Sequence, residues 1–167
     1  MSKKIKVMMV GLLPLNISDV QGGVVSVILN ILEGFANSAD IRIIHVSFND
    51  DISEPKKIRY RENIEICYVP FKSKYAILDY FLNRKSVDSI IEEFQPDLIH
   101  IHEITPQIIR FLHLNKHNVI VTQHGIMSKE MFFATGVTDF LKRLFKAAVE
   151  RFLYPIFKNV IFISNYN

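Results

Sequence analysis

Short apolar runs rich in β-branched residues recur along the chain. Between them lie longer stretches in which apolar residues return every three or four positions. A short, nearly continuous apolar run is typical of a strand buried on both faces of a parallel sheet. Six such strands are predicted, at Ile5–Leu13, Ile41–Phe48, Ile64–Pro70, Asp97–His102, Val119–Thr122 and Asn159–Ile163.

The stretches between the strands have the three- and four-residue spacing of helices with one apolar face. Four helices are predicted, over Val24–Phe35, Lys74–Phe94, Thr105–Leu114 and Asp139–Phe157. Residues 49–63 are polar and charged, so we expect a poorly ordered surface segment there, and residues 127–136 are ambiguous. Alternating strands and helices predict an α/β fold, a doubly wound, mostly parallel, Rossmann-like sheet in a three-layer α/β/α arrangement.

Composition agrees with one globular domain in a reducing compartment. The 167 residues are 49% hydrophobic and carry a formal net charge of +3, which excludes the weakly hydrophobic class of disordered chains. The single cysteine, Cys67, cannot form an intrachain disulfide, and its apolar neighbours favour a buried structural thiol. No apolar run reaches the roughly 18 residues of a transmembrane helix, and the first run lacks a signal-peptide cleavage site.

Two consecutive glycines, Gly22 and Gly23, follow the first strand and its loop at the start of the first predicted helix. The unpaired N–H groups and the positive dipole end of a helix N-terminus favour an anion such as phosphate. Glycine also lets a ligand approach the backbone closely. A simple turn is the alternative, because the spacing matches neither G-x-G-x-x-G nor the P-loop.

Histidines follow two of the predicted strands. His124 follows the strand Val119–Thr122 and is separated from it only by Gln123. His102 and Glu103 stand at the end of the fourth strand. The carboxyl ends of parallel strands meet at one edge of a sheet, where open α/β proteins bind ligands. We therefore expect these three residues and the Gly22–Gly23 loop to line one cleft. His45, in the middle of the second strand, is expected to be a core residue.

Other chemistries find weaker support. His100 and His102 share one strand face, and with Glu103 or His124 they resemble zinc ligands. No C-x-x-C or H-E-x-x-H motif accompanies them, so no metal is expected. The chain has no G-x-S-x-G motif for a serine hydrolase. Its dispersed basic residues argue against nucleic acid as a partner.

The last predicted helix combines Phe and Leu residues with four basic residues, Lys142, Arg143, Lys146 and Arg151. Packing of its apolar side on the sheet is the preferred interpretation. Contact of that side with a membrane surface is the alternative. We therefore expect a cytoplasmic protein, with a peripheral position at the inner face of the membrane as the alternative.

Four motifs, taken in order, resemble a known family. They are Gly22-Gly23, Pro96–His102, Gln123–Met127 and Asn159–Ser164. Together they are similar to the amino-terminal, Rossmann-like domain of retaining GT-B glycosyltransferases of family four. The resemblance extends over nearly the whole chain, and the ordered set is more specific than any single motif.

This resemblance implies roles for individual residues. It places Gly22 and Gly23 near the donor phosphates or the acceptor. It places His124, as the catalytic residue, near the transferred sugar, and His102 with its neighbour Glu103 in the acceptor pocket. It implies no cofactor and no divalent metal, because the nucleotide-sugar donor is a substrate.

The resemblance also implies a division of labour. Residues 1–167 are expected to form a single acceptor-side domain, because nothing in the sequence corresponds to the family's carboxyl-terminal, nucleotide-sugar-binding domain with its Glu-x7-Glu motif. The expected function is transfer of a sugar, with retention, from a nucleotide-sugar to a saccharide or lipid-linked acceptor in surface polysaccharide or glycolipid synthesis. Alone, the chain is expected to be inactive. The alternative is a stand-alone Rossmann or flavodoxin-like module that binds phosphate or a nucleotide.

Overall fold

The computed structural model describes residues 3–17, 22–72, 75–103, 107–124 and 131–163. Its strands are β1 (Ile5–Val10), β2 (Ile41–Asn49), β3 (Lys56–Arg61), β4 (Ile64–Pro70), β5 (Leu98–Glu103), β6 (Val119–Gln123) and β7 (Asn159–Phe162). Its α-helices are α1 (Gly23–Gly34), α2 (Ala76–Phe94) and α3 (Val137–Leu153). Shorter 3-10 helices span Gln107–Lys116, Met131–Phe133 and Tyr154–Ile156.

The strands form one sheet in the order β3-β4-β2-β1-β5-β6-β7. Every neighbouring pair is parallel except β3 and β4. From β1 the chain winds outward to β2 and β4, and then in the opposite direction through β5 and β6 to β7. The reversal lies between β1 and β5, whose carboxyl ends therefore border a crevice. The predicted doubly wound, mostly parallel Rossmann-like fold is confirmed.

Helices cover the two faces of the sheet unequally. On one face α1 buries Ile28 and Leu32 against a cluster that includes Met9. On the other face lie α2, the 3-10 helix after β5 and the end of α3, which contribute Ile91, Leu114 and other residues to a second core cluster. This arrangement is the predicted three-layer α/β/α architecture.

The prediction of a poorly ordered segment at residues 49–63 is wrong. Those residues contain β3, which pairs antiparallel with β4 at the edge of the sheet. Within the described residues the sheet therefore has seven strands instead of the six predicted. Ile58 and Tyr60 are half-buried and alternate with exposed charged residues, and both pack against the core cluster under α1. The period-two pattern of an edge strand was hidden because only two of its six residues are apolar.

The remaining predictions concern two short segments, Cys67 and the possibility of a membrane-spanning helix. The short helix predicted from Thr105 is a 3-10 helix from Gln107, and Thr105 itself lies outside the described residues. The ambiguous stretch 127–136 contains a 3-10 turn at Met131–Phe133. Cys67 is buried, and its burial raises the pKa of its thiol. Within the described part of the chain, no helix combines the length and the hydropathy needed to cross a membrane.

The preferred interpretation of the last predicted helix is also wrong over most of its length. In α3 the apolar side chains of Val137, Leu141 and Phe145 are 76%, 56% and 60% exposed. Only near its end does α3 reach the core, through Val149. The Phe and Leu side of this helix therefore faces outward instead of packing on the sheet.

Candidate functional site

Side chains of β2 and β4 hold the loop that follows β1. The Ser47 hydroxyl accepts a hydrogen bond from the Leu13 N–H at 2.8 Å and donates one to the Leu13 carbonyl at 3.1 Å. The Tyr68 hydroxyl donates to the Pro14 carbonyl at 2.8 Å. These contacts fix the described part of the loop at the crevice between β1 and β5.

Gly11, the first residue beyond β1, lies at the closest part of this crevice. An added Cβ at Gly11 would lie 2.6 Å from Cδ1 of Ile28 and 3.2 Å from Cβ of His102. Glycine therefore allows α1 and β5 to approach each other here. The His45 ring lies 3.1 Å from the Gly11 carbonyl, and because a carbonyl only accepts, Nε2 of His45 is the donor. Sequence reasoning missed Gly11, whose one signal was a glycine inside the first apolar run.

The Gly22–Gly23 pair forms the start of α1, as predicted. Gly22 is the N-cap residue with φ of 100°, a left-handed conformation that favours glycine. Among the described residues no side chain caps this helix end, and the first turn of the helix has no acidic residue. Apart from chain neighbours, an added Cβ at either glycine would meet no described atom within 4 Å. With respect to the described residues, the start of α1 is therefore open on the side of its glycines, about one and a half turns before Ile28.

His102 and His124 meet at the carboxyl ends of β5 and β6. Nδ1 of His102 lies 3.1 Å from Nε2 of His124. The register explains the contact, because His102 pairs with Thr122 and His124 follows two residues later on the same side of β6. One nitrogen donates and the other accepts, so the two rings share one hydrogen bond. The structure thus brings together two residues that the sequence assigned to one cleft.

Behind this pair, His100 and Thr122 form a second polar contact. Nε2 of His100 lies 2.8 Å from the Thr122 hydroxyl oxygen, and the rings of His100 and His102 are 4.1 Å apart between centroids. His100 and His102 therefore share one face of β5, as their alternation predicted. The ring of His102 is thus packed between the imidazoles of His100 and His124.

Burial keeps the histidines on this face of the sheet neutral at pH 7. It lowers the pKa of His45 to about 4. Burial, followed by the charges of His100, His124 and His45, lowers the pKa of His102 to about 3. Burial is also the main cause of the lowered pKa of His100 and of His124. A neutral imidazole has one donor and one acceptor nitrogen, which suits hydrogen bonding to a sugar hydroxyl.

The alternative of a metal site involves these histidines together with Glu103. Within the described ranges, no group of three His, Cys, Asp or Glu side chains is placed to hold a metal ion. Nδ1 of His102 and Nε2 of His124 are hydrogen-bonded to each other. Glu103 ends β5 and pairs in register with Gln123, and the placement of its side chain lies outside the description. Residues 125–127 and Ser164 of the motifs also lie outside it.

Gln123, the residue before His124, links the site to α3. Its buried side-chain amide donates a hydrogen bond to the carboxylate of Glu150, which is also buried. Sequence reasoning included Gln123 in a motif but missed this partner. The available signal was an acidic residue beside Val149 in the part of α3 that packs on the core.

Comparison with known proteins agrees with this geometry. Residues 21–167 match the family model of Glycosyltransferase Family 4. Because the match extends over most of the chain, the chain belongs to this glycosyltransferase family. The predicted resemblance to the amino-terminal domain of GT-B glycosyltransferases is confirmed.

A solved structure with the same fold is sucrose-phosphate synthase from Thermosynechococcus elongatus. The two superimpose with a TM-score of 0.63 at 11% sequence identity, over 96% of this chain and 48% of that protein. The chain thus spans about half the length of this structural neighbour, and at this identity the likeness concerns the fold alone. No sequence among curated proteins matches the chain.

Proposed function

We propose that this chain is the acceptor-side domain of a retaining glycosyltransferase. It moves a sugar from a nucleotide-sugar donor to a saccharide or lipid-linked acceptor, in the synthesis of a surface polysaccharide or glycolipid. Family membership supports the transferase class. The observation that carries the site assignment is the hydrogen bond between His102 and His124 at the crevice beside Gly11.

In this proposal His124 contacts the transferred sugar. Glycosyl transfer develops positive charge on the sugar ring and negative charge on the departing phosphate. The lowered pKa of His124 keeps its ring uncharged, so the ring does not oppose the developing cation. Because Nε2 is engaged with His102, Nδ1 remains to hydrogen-bond a sugar hydroxyl. His124 is thus a hydrogen-bonding catalytic residue and not a nucleophile.

Other residues take complementary roles in the proposal. The open start of α1 at Gly22 and Gly23 receives a phosphate or an acceptor group, since its N–H groups and dipole favour an anion. His102 holds the ring of His124 and, with Glu103, borders the acceptor. Most donor contacts come from a further domain outside this chain, so residues 1–167 are inactive alone. The donor is a substrate, and no cofactor is required.

The test is His124→Ala in the protein expressed from its whole reading frame. We expect turnover to fall about a hundredfold, the usual effect of losing one preorganised hydrogen bond at the reacting group. The free energy of unfolding should fall by about 1–3 kcal/mol, because Nδ1 of the buried His102 loses its hydrogen-bond partner. Steady-state kinetics and urea unfolding measure the two effects.

His117→Ala is the matched control. His117 is also half-buried but precedes β6, at the opposite edge of the sheet, so its loss should leave turnover unchanged. Anomeric analysis of the product by NMR tests retention. If His124→Ala reduces stability and activity in parallel, the role of His124 is structural and the assignment fails.

A phosphate- or nucleotide-binding module is the second candidate. The uncapped start of α1 with its open glycines favours it. This candidate predicts that residues 1–167 alone bind a nucleoside diphosphate tightly, and that Gly23→Asp weakens the binding. Calorimetric titration of the isolated chain separates the two candidates, because the glycosyltransferase proposal expects most of the donor affinity to lie elsewhere.

A further inference from the structure

Helix α2 changes character halfway along its length. In its first half Leu78, Phe81 and Leu82 are between 52% and 68% exposed. In its second half Val87 and Ile91 are buried in the core cluster of that face. Large apolar side chains usually lie in the core, so a run of them on one exposed half-helix requires an explanation.

Helix α3 also exposes large apolar side chains along one of its faces. Five of its apolar residues fall within an arc of about 100° at the helical repeat of roughly 100° per residue, and the helix packs on the core mainly through Val149 near its end. Just before α3, Phe132 and Phe133 are more than 70% exposed. The five residues of the arc are all exposed, Val137, Leu141, Leu144, Phe145 and Phe152.

Both exposed halves lie at one edge of the molecule. Helix α2 follows β4 and α3 follows β6, and each helix ends shortly before the start of the next parallel strand. Their first halves therefore lie toward the carboxyl ends of the strands, the edge that holds the crevice and its histidines. Both helices pack on the same face of the sheet. We call this apolar set the docking surface, consisting of Leu78, Phe81, Leu82, Phe132, Phe133, Val137, Leu141, Leu144 and Phe145.

Positive charge accompanies the docking surface. Helix α3 has four basic and two acidic residues. Of the acids, Glu150 is buried against Gln123, and Asp139 accepts hydrogen bonds from Arg143 and the Thr135 N–H. A cationic helix with a wide exposed apolar face is the pattern of helices that lie in the interface of an anionic bilayer.

The acid near the exposed half of α2 is also turned inward. Asp79 is fully buried and accepts hydrogen bonds from the Lys72 N–H and the Asn83 side chain. Lys72 and Lys142 are exposed, and long basic side chains can keep their charge at a headgroup while their stems cover apolar surface. The positive charge and the exposed apolar side chains at this edge therefore both suit a partner with an anionic surface and an apolar interior.

We propose that the docking surface rests on an anionic phospholipid bilayer, with the carboxyl edge of the sheet toward the lipid. A second copy of the chain is a poorer occupant, because a symmetric contact between two α3 helices would bring equal positive charges together. The proposal goes beyond sugar transfer and does not depend on it. Protein and bilayer are held by burial of Phe and Leu side chains and by attraction between basic residues and lipid headgroups.

The test is sedimentation with phosphatidylcholine vesicles, with and without phosphatidylglycerol, using the protein expressed from its whole reading frame. We expect binding to require phosphatidylglycerol. Leu78→Asp and Leu141→Asp should each weaken partitioning by about tenfold or more, since an apolar contact is lost and a like charge is added. Ile5→Asp is the matched control, because Ile5 is 52% exposed at the opposite edge of the sheet and should bind normally.

A charge series tests the electrostatic part. Lys142→Gln and Lys146→Gln should each reduce partitioning about fivefold, the effect of about 1 kcal/mol for each basic residue near an anionic membrane. Lys4→Gln, at the far edge, should have no effect. All these positions except Lys146 are exposed, and urea unfolding of each variant checks that the fold is intact.

Three results would overturn the proposal. One is equal binding to vesicles with and without phosphatidylglycerol, and another is normal binding by Leu141→Asp. The third is a lipid-free dimer, seen by sedimentation velocity, that Leu141→Asp dissolves, because the surface would then join two copies of the chain. None of these results concerns transfer to a water-soluble acceptor, so the proposed glycosyltransferase function is tested separately.

Discussion

Helices α1 and α3 both have a strong apolar face, yet they place it in opposite surroundings. In α1, Ile28 and Leu32 are completely buried against the sheet. In α3, Leu141 and Phe145 are more than half exposed. An amphipathic pattern therefore gives the position of an apolar face on a helix but not what that face contacts.

The difference arises from where each helix is attached. Helix α1 crosses the middle of the sheet, where Gly11 allows Ile28 close to β5. Helix α3 is attached near its end, through Val149 in the core and Glu150 bonded to Gln123. The large apolar side chains of its first three turns are therefore exposed, and such residues can stabilise a contact outside the domain.

Truncation of one leucine in each helix gives the largest contrast. Leu32→Ala should lower the free energy of unfolding by about 2–5 kcal/mol, because it opens a cavity in a closed core. Leu141→Ala should change it by no more than about 0.5 kcal/mol, since the side chain is mostly in solvent. Urea unfolding of both variants measures the contrast. Equal losses would mean that α3 packs on the domain as α1 does.

Acid should act mainly through the α1 face of the sheet, where His45 and His102 lie. The ordinary histidine pKa of 6.5 falls to about 4 for His45 and to about 3 for His102. The unfolded chain then binds more protons, so stability present above pH 6.5 is lost as the pH falls toward these folded values. At pH 5 the expected loss is about 2 kcal/mol for each of these two buried histidines.

Unfolding free energies at pH 7 and pH 5 measure this loss. A His102→Gln variant should show a shallower pH dependence than the original chain, because one of the two neutral histidines is gone. Identical pH dependence in both proteins would contradict the assignment of His102 as a neutral, buried ring.

The attachment of α3 gives the smallest effect. Glu150→Ala should lower the free energy of unfolding by about 1–3 kcal/mol, because it leaves the buried Gln123 amide without its acceptor. Asp139→Ala in the exposed half of α3 is the control and should have a much smaller effect. Urea unfolding compares the two variants. Similar values would show that the two halves of α3 are attached equally well.

Much of the fold could be predicted because buried parallel strands are apolar almost without interruption, as in β1 and β2. The edge strand β3 escaped because a strand with one half-buried face needs few apolar residues, here Ile58 and Tyr60. The end of β1 was placed too late, since Gly11 is apolar by class and nothing in the sequence marks the close approach of Ile28 to it. Local pattern therefore identifies strands buried on both faces well, and tertiary proximity poorly.

The site shows the same limit. Strand ends and their residue types can be recognised in the sequence, so His102 and His124 could be assigned to one cleft from their positions alone. Their direct hydrogen bond depends on the register of β5 and β6, which periodicity does not fix. The link from Gln123 to Glu150 joins residues 27 positions apart and depends on how α3 packs, which local sequence does not determine.

The contact between His102 and His124 also determines how this edge of the sheet takes up protons. With one extra proton the pair remains bonded, because a charged ring donates to a neutral one. A second proton places two donors and two positive charges face to face at 3.1 Å, and the bond is lost. The hydrogen bond between the two rings therefore persists only while no more than one of them is charged.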